Sequence, residues 1–432
     1  MLLTGGKNVS EVSLPHARGS AGGCEIEAAF QSRTRQQTVS RLFQQTPKGP
    51  LAFGICLVNL WIGIHFLMPL RSRTVWDLPN FYFAGKLVRS GRISQIYDKA
   101  AYEPLLAGLR KTEGRAALYS VYFNRPAFEA PLFLPLAFLS FRSASVLMIA
   151  ANLMLILVLV WKLPQWFPCG EGSRIWLFIF MPFLYSVAVG QDTLLLTLIL
   201  AYGLHLAQVR RDVPAGVVFA LAAFKPHLIL LTPFALAAAK KWRMLGAFLA
   251  TGAVLGLSCF ALVGARGVRS WIGLLRANTT DAVPLFMGNA RALGLHFGAG
   301  VGLLAGLLTV IAFGFVLKQG SLTEKVVAGF LAAILLSPHT YLQDYALLAV
   351  AAVAVLPLVP RLCVLVPWAY FYPTFGSDMI PFIVVALACL VILAAKPLAQ
   401  RFQATLAKPC PAPGSGVGET LLGSGKEEQA GD

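Results

Sequence analysis

Long runs of apolar side chains recur along most of the chain, and they limit its possible folds more than any other feature. They lie near 51–70, 128–141, 144–161, 174–190, 192–208, 213–239, 244–264, 292–317, 326–338, 341–359, 361–372 and 379–395. A helix needs about 20 mainly apolar residues to cross a hydrocarbon layer about 30 Å thick, and only a ladder internal to the segment satisfies its backbone there. A transmembrane barrel would show segments of about ten alternating residues instead, and the sequence contains none. The pattern predicts an all-α, polytopic transmembrane helical bundle with roughly 11–13 spans. Composition agrees: 57% of the 432 residues are hydrophobic and 13% charged, and the mean hydropathy of +0.69 exceeds what a soluble core of this length requires. Two runs are awkward, since 128–141 is short and 213–239 is interrupted by "FKPH" (Phe224–His227). Each reads equally as a full span, a half-helix or part of a hairpin.

Around these runs the sequence predicts a Gly/Ser/Gln-rich disordered tail over 1–50, a membrane domain over 51–400 and a second, Pro/Gly/Ser-rich tail over 401–432. The run 51–70 ends in "MPLRSR" without a small-residue cleavage site and reads as an uncleaved anchor. Seven scattered cysteines form no C-x-x-C pair, so neither a disulfide framework nor a zinc site is expected. Lysine and arginine in the short loops set the orientation. "KKWR" (Lys240–Arg243), Lys318 with Lys325, Arg361, and Lys396 with Arg401 and Lys408 alternate so that all fall on one side with the C-terminus, and that side is expected to be cytoplasmic. The opposite face then carries "SPHTYLQDY", the 265–290 loop and "TFGSDM".

The gap over 71–127 departs from this charge rule. It carries ten cations against Asp77, Asp98, Glu103 and Glu113, yet falls on the outer side. Phe81, Ala84, Leu87 and Val88, and again Tyr97, Ala101, Leu105 and Leu109, recur at helical spacing with cations between them. A large outer loop of amphipathic juxtamembrane helices, facing lipid headgroups or lipid phosphates, is the expectation. The net charge of +17 does not indicate a nucleic-acid partner, because the cations are spread among membrane loops without a soluble basic domain.

The stretch "WDLPNFYFAGKLVRSGRISQIYD" (76–98) resembles the D-x-x-x-[FY]-x-x-[AG] opening and downstream "IYD" of glycosyltransferase family 87, the polyprenol-phosphate-mannose-dependent α-mannosyltransferase type with the GT-C membrane fold. "YFNRPAFEAPLFLPLAFLSF", "GQDTLLLTLIL", "AGVVFALAAFKPHLILLTPFALAAAKKWR" and "LLSPHTYLQDYALL" are similar to further pieces of that family in the same order. Where the family shows a Pro-Pro pair, this chain has Arg125-Pro126. The resemblance implies transfer of a sugar, mannose by resemblance, from a polyprenyl-phosphate-linked donor to a lipid or glycan hydroxyl. It implies a plasma-membrane location, an outer-face site and inversion at the anomeric carbon.

Such chemistry needs a carboxylate to take the acceptor proton and cations to meet the leaving phosphate. Asp77, matching the family's first-loop aspartate and flanked by Trp76 and Leu78, is the expected general base; the alternative is a helix N-cap. Lys225 and His227 interrupt an apolar run, where an ionisable group is a functional candidate by default. His339 and Tyr341 in "SPHTY" are expected near a phosphate or sugar, Gln191 and Asp192 near sugar hydroxyls, and Arg125 at the acceptor side. Asp344 reads as structural. No metal-ligand cluster is visible and no cofactor is expected, although Asp77 and Asp192 are the two carboxylates that could share an ion. A transporter or flippase of lipid-linked sugars is the alternative class; it usually shows internal repeats with paired broken helices, and none is evident.

Overall fold

The computed structural model describes residues 77–113, 122–167, 173–178, 180–281, 287–355 and 380–406. All of them fall within one compact unit. The expected anchor 51–70, the run 361–372, "TFGSDM" and both tails beyond these limits lie outside the described residues. Every regular element among the described residues is helical. In chain order these are α1 (Leu78–Arg89), α2 (Lys99–Glu113), α3 (Phe141–Trp166), α4 (Ser173–Phe178), α5 (Met181–Val189), α6 (Thr193–Gln208), α7 (Asp212–Leu221), α8 (Pro226–Ile229) and α9 (Thr232–Ala238). They continue with α10 (Trp242–Asp281), α11 (Ala290–Phe297), α12 (Ala299–Gln319), α13 (Leu322–Leu336), α14 (Leu348–Ala354) and α15 (Ile380–Leu406).

Among the described residues, three stretches are long and apolar enough to cross a membrane: Phe141–Trp166, Trp242–Arg276 and Ala299–Gln319. Shorter apolar helices make up most of the rest. Proline and glycine account for the shortening. The run 128–141 is a 3-10 segment, Ala127–Phe138, because Pro131 and Pro135 lack the N–H groups that an α-helical ladder would use. The run 292–317 is cut at Gly298, whose φ of 100° suits glycine. Inside α10, Gly264 (φ 64°) breaks the helical course and turns the second half toward the residues around Tyr97.

The run 213–239 is a broken hairpin. Its helical course fails at Lys225 (φ −117°, ψ 71°), just before Pro226, which cannot donate to the preceding turn. Its two ends come together, with Lys241 Nζ 3.2 Å from Asp212 Oδ1. From that closed end, ten α residues and one 3-10 turn carry the tip about 20 Å inward. Gly216 is required on this arm, since a Cβ there would fall 2.2 Å from the Met244 carbonyl oxygen of α10.

α2 is one-sided, as the spacing predicts, with Ala101, Tyr102, Leu106 and Leu109 buried. α1 differs from the expected membrane-surface helix: all residues from Leu78 to Gly85, and Leu87, are buried. It packs along the 3-10 segment, where Phe81 stacks on Phe133 at 4.4 Å and a Cβ at Gly85 would meet the Phe133 carbonyl oxygen at 2.3 Å. Tyr82 Oη donates to the Leu139 carbonyl at 2.9 Å. The first loop is thereby built into the core, and its leading residue, Asp77, is brought to the ends of the other helices.

Candidate active site

A turn between two helices supplies the first part of the site. α5 ends at Gly190 in the left-handed conformation (φ 70°, ψ 37°). The N–H of Gln191 bonds the Ser186 carbonyl at 3.0 Å and that of Gly190 the Val187 carbonyl at 3.2 Å. This paired closure stops the helix and lets Asp192 begin α6 immediately. "GQD" is therefore a helix stop followed by two polar residues turned into the interior, where both are buried.

Asp77 is tied to this turn twice. Its N–H donates to the Val189 carbonyl at 3.0 Å, and its Oδ2 accepts from Gln191 Nε2 at 2.6 Å. It stands at the N-cap of α1 but its side chain makes no capping bond, so the carboxylate is directed into the cluster. Burial pushes its pKa above the ordinary aspartate range, with the Gln191 bond and the Arg125 and Lys225 charges pulling only partly the other way.

Arg125 joins the turn to the first loop. One of its terminal nitrogens donates to Gln191 Oε1 at 2.8 Å and to Asp192 Oδ1 at 3.0 Å. Its guanidinium lies 5.8 Å from the Phe81 ring centre. The backbone behind it is fixed by Tyr97 Oη on the Arg125 carbonyl at 2.7 Å and by Trp271 Nε1 on the Asn124 carbonyl at 2.9 Å. The tyrosine of "IYD" thus acts on the site through the main chain of Arg125.

Lys225, at the tip of the hairpin, is 2% exposed. Its ammonium lies 2.7 Å from Asp344 Oδ1 and 3.6 Å from Asp192 Oδ1, and donates to Thr193 Oγ1. Asp344 uses its second oxygen to accept the Tyr341 N–H at 3.0 Å, shaping the turn after α13. The His339 ring meets the edge of Tyr341 at 4.8 Å. Burial holds His339 below the ordinary histidine pKa, which keeps the ring neutral near pH 7. His227 and His339 lie near Lys225, Arg125 and Asp344, and His227 Nε2 and His339 Nδ1 are buried without a hydrogen-bond partner. The loop carrying His339 is braced from "GNAR": Gly288 N–H donates to the Thr340 carbonyl at 2.7 Å, and Asn289 Nδ2 to the Ser337 carbonyl at 2.9 Å. Tyr345 packs against Gly288 so closely that a Cβ there would fall 2.4 Å from its ring.

All eight residues singled out from the sequence (Asp77, Arg125, Gln191, Asp192, Lys225, His227, His339 and Tyr341) therefore gather in one place. Three others join them, among them Asp344, which reads as structural in the sequence and here pairs with Lys225. Thr193 serves Lys225, and Glu129, on the 3-10 segment, is 1% exposed and couples electrostatically to Asp192 and Arg125. Glu129 Oε2 and Asp192 Oδ2 each lack a hydrogen-bond partner, and a proton held between the two carboxyls would satisfy both. Glu129 is a lone carboxylate in an apolar run, the same signal that marked Lys225. Among the described residues no group of three or more His, Cys, Asp and Glu side chains is arranged to hold a metal ion.

The arrangement offers a carboxylate of raised proton affinity, two cations and two imidazoles with unpartnered ring nitrogens, gathered at the helix ends. The protein-family model described as glycosyltransferase family 87 matches residues 123–367, more than half of the chain. That range takes in every member of the cluster except Asp77. No curated protein and no solved structure matches the chain.

Proposed function

The chain belongs to glycosyltransferase family 87, a family of membrane glycosyltransferases, and we propose that it transfers mannose from a polyprenyl-phosphate-linked donor to a hydroxyl of a lipid or glycan acceptor. Asp77 is the general base in this reading. Its carboxylate takes the proton of the acceptor hydroxyl while that oxygen bonds to the anomeric carbon from the face opposite the phosphate. The carbon–oxygen bond to the phosphate breaks, its electron pair leaves with the polyprenyl phosphate, and the configuration inverts. The observation that carries the proposal is the position of Asp77: raised proton affinity, one oxygen fixed by Gln191 and cations close by.

Charge bookkeeping assigns the remaining roles. Arg125 and Lys225 are already paired with Asp192 and Asp344. The two imidazoles have unused ring nitrogens, so in this reading His227 and His339 contact the phosphate directly. Lys225 holds the two carboxylates and lends its field, and Arg125 and Tyr341 line the sugar. Orientation supports a site on the outer face of the plasma membrane. The hairpin closes at Asp212 and Lys241, on the side of the lysine- and arginine-bearing loops, and its tip reaches about 20 Å away from them. Family membership favours transfer over transport of lipid-linked sugars.

The test is transfer of label from radiolabelled polyprenyl-phosphate-mannose to membrane lipids in vesicles containing the wild-type chain or Asp77→Asn. A labelled product formed only by the wild type is expected. Equal labelling by both would remove Asp77 from the mechanism, and labelling from a different lipid-linked sugar would replace the donor.

A further inference from the structure

We propose that Gln191 is a positioning residue that aims the Asp77 carboxylate, and not a contact of the sugar. The inference rests on Asp77 being the base. It begins with the polarity of the amide. Arg125 can only donate hydrogen bonds, so the group 2.8 Å from its nitrogen must be the Gln191 oxygen, and the amide nitrogen must then face Asp77 Oδ2 at 2.6 Å. The orientation of the side chain is fixed by its neighbours' chemistry.

Each end of this link is anchored independently. Arg125 is held by Asp192 on its guanidinium and by Tyr97 on its carbonyl. The Gln191 backbone is fixed by the bond of its N–H to Ser186 across the left-handed Gly190. Asp77 is tied to the same turn by its own N–H on the Val189 carbonyl. The turn 189–191 therefore grips the base at its main chain and at one carboxylate oxygen, which restricts rotation of the carboxylate and leaves Oδ1 for the acceptor proton. Gln191 itself is 6% exposed, with one amide hydrogen and one lone pair already used. A residue made to read sugar hydroxyls would present that amide to the substrate.

The two roles separate experimentally. A sugar contact that is lost raises the donor KM. A lost positioning bond lowers kcat and removes the donor that favours the ionised carboxylate, so Asp77 should titrate at higher pH. Full-length wild type, Gln191→Leu and Gln191→Glu would be compared in lipid nanodiscs by pH-difference infrared spectroscopy, with the Asp77 carboxyl band identified by its loss in Asp77→Asn. Transfer from polyprenyl-phosphate-mannose would be followed over the same pH range. Gln191→Glu guards against loss of the fold, because the new carboxylate keeps the bond to Arg125; its charge beside Asp77 adds to the upward shift, so the effect of the lost bond is read from Gln191→Leu. The expected result is an upward shift of the Asp77 titration by about one pH unit or more in both variants, matched by the acid limb of kcat, with donor KM within about threefold of wild type. An unmoved Asp77 band with a tenfold higher KM would overturn the proposal. If the band shifts but even the wild type transfers nothing from this donor, the positioning role stands and the donor assignment falls.

Discussion

The two ends of α6 and α13 carry the same kinds of ion pair in opposite surroundings. These antiparallel helices run about 22–24 Å from one polar cluster to the other. At one end Asp212 pairs with Lys241, with side chains 25% and 30% exposed, and Glu324 pairs with Lys396, 13% and 43% exposed. At the other, Lys225 and Asp344 are 3% and 4% exposed, and Arg125 and Asp192 are 12% and 5%. Water-facing pairs contribute about 0–1 kcal/mol each and are screened by salt. Pairs taken out of water incur a desolvation penalty that their attraction rarely exceeds. The buried cluster is therefore poorly explained as a stabilising device, whereas the proposed reaction, with a charged phosphate leaving, would need such groups. The exposed end closes the hairpin; the buried end, in the reading proposed above, holds the reacting groups at a cost in stability.

The same substitution at each end gives the largest contrast. Asp77→Asn should reduce transfer by about 10²–10⁴-fold, the usual contribution of a general base, while Asp212→Asn should leave it within about twofold. Comparable losses from both would mean that the ends do not differ in the way proposed. Stability should separate them next. Lys225→Met leaves Asp344 and Asp192 short of a buried counter-charge, and about 3–5 kcal/mol should be lost. Adding Asp344→Asn should restore part of this, a non-additivity readable by chemical denaturation in micelles. If the double variant is as unstable as the two single losses added together, the pair is not an energetic unit.

Proton dependence is the third contrast. Only ionised Asp77 can accept a proton, and burial raises its pKa. Transfer should therefore fall as pH drops through a midpoint above the ordinary aspartate value of about 3.9. Neutral His339 gains charge only below the usual histidine range, so its titration should not shape activity near neutrality. A rate-controlling step that is lost as pH rises through about 6.5 would instead point to a protonated histidine.

How much of this could be read in the sequence follows from the kind of signal. Helical class was legible from the apolar runs, Lys225 because charge in an apolar setting is conspicuous, and Asp77, Gln191 and His339 mainly through the resemblance of their motifs to the family. The course of 213–239 was not. Hydropathy averages over a window, and a broken hairpin has the same average as a straight span; only the contact between Asp212 and Lys241 distinguishes them. α1 misled for a related reason. Its spacing of Phe81, Ala84 and Leu87 describes one apolar face, but Pro79, Asn80, Tyr82 and Gly85 on the other sides are also covered by the 3-10 segment and its neighbours. Glu129 carried a readable signal, yet its significance depends on facing Asp192 across a gap of more than 60 residues in the chain.

The smallest expected effect lies in Glu324→Gln, which removes the ion pair with Lys396 at the exposed end and spares the helix cap. Glu324 Oε2 accepts the Ser321 N–H at 2.8 Å and Ser321 Oγ accepts the Glu324 N–H at 3.3 Å, a reciprocal cap that starts α13. Glutamine keeps that cap through its single amide oxygen, and its amide nitrogen, a donor like the Lys396 ammonium, replaces the oxygen that accepted from Lys396, so the contact with Lys396 is lost. Partial burial works against the carboxylate, but the bonds from Lys396 and Ser321 outweigh it and hold the pKa below the ordinary glutamate range. A carboxylate depressed in the folded state adds stability that is fully present above the unfolded value of about 4.3 and disappears as pH falls through the folded one. The substitution should therefore lower stability by less than about 1 kcal/mol at pH 7, and the difference from wild type should vanish in strong acid or in molar salt. A loss of several kcal/mol, indifferent to salt, would show that this end is as dry as the site and would dissolve the contrast between them.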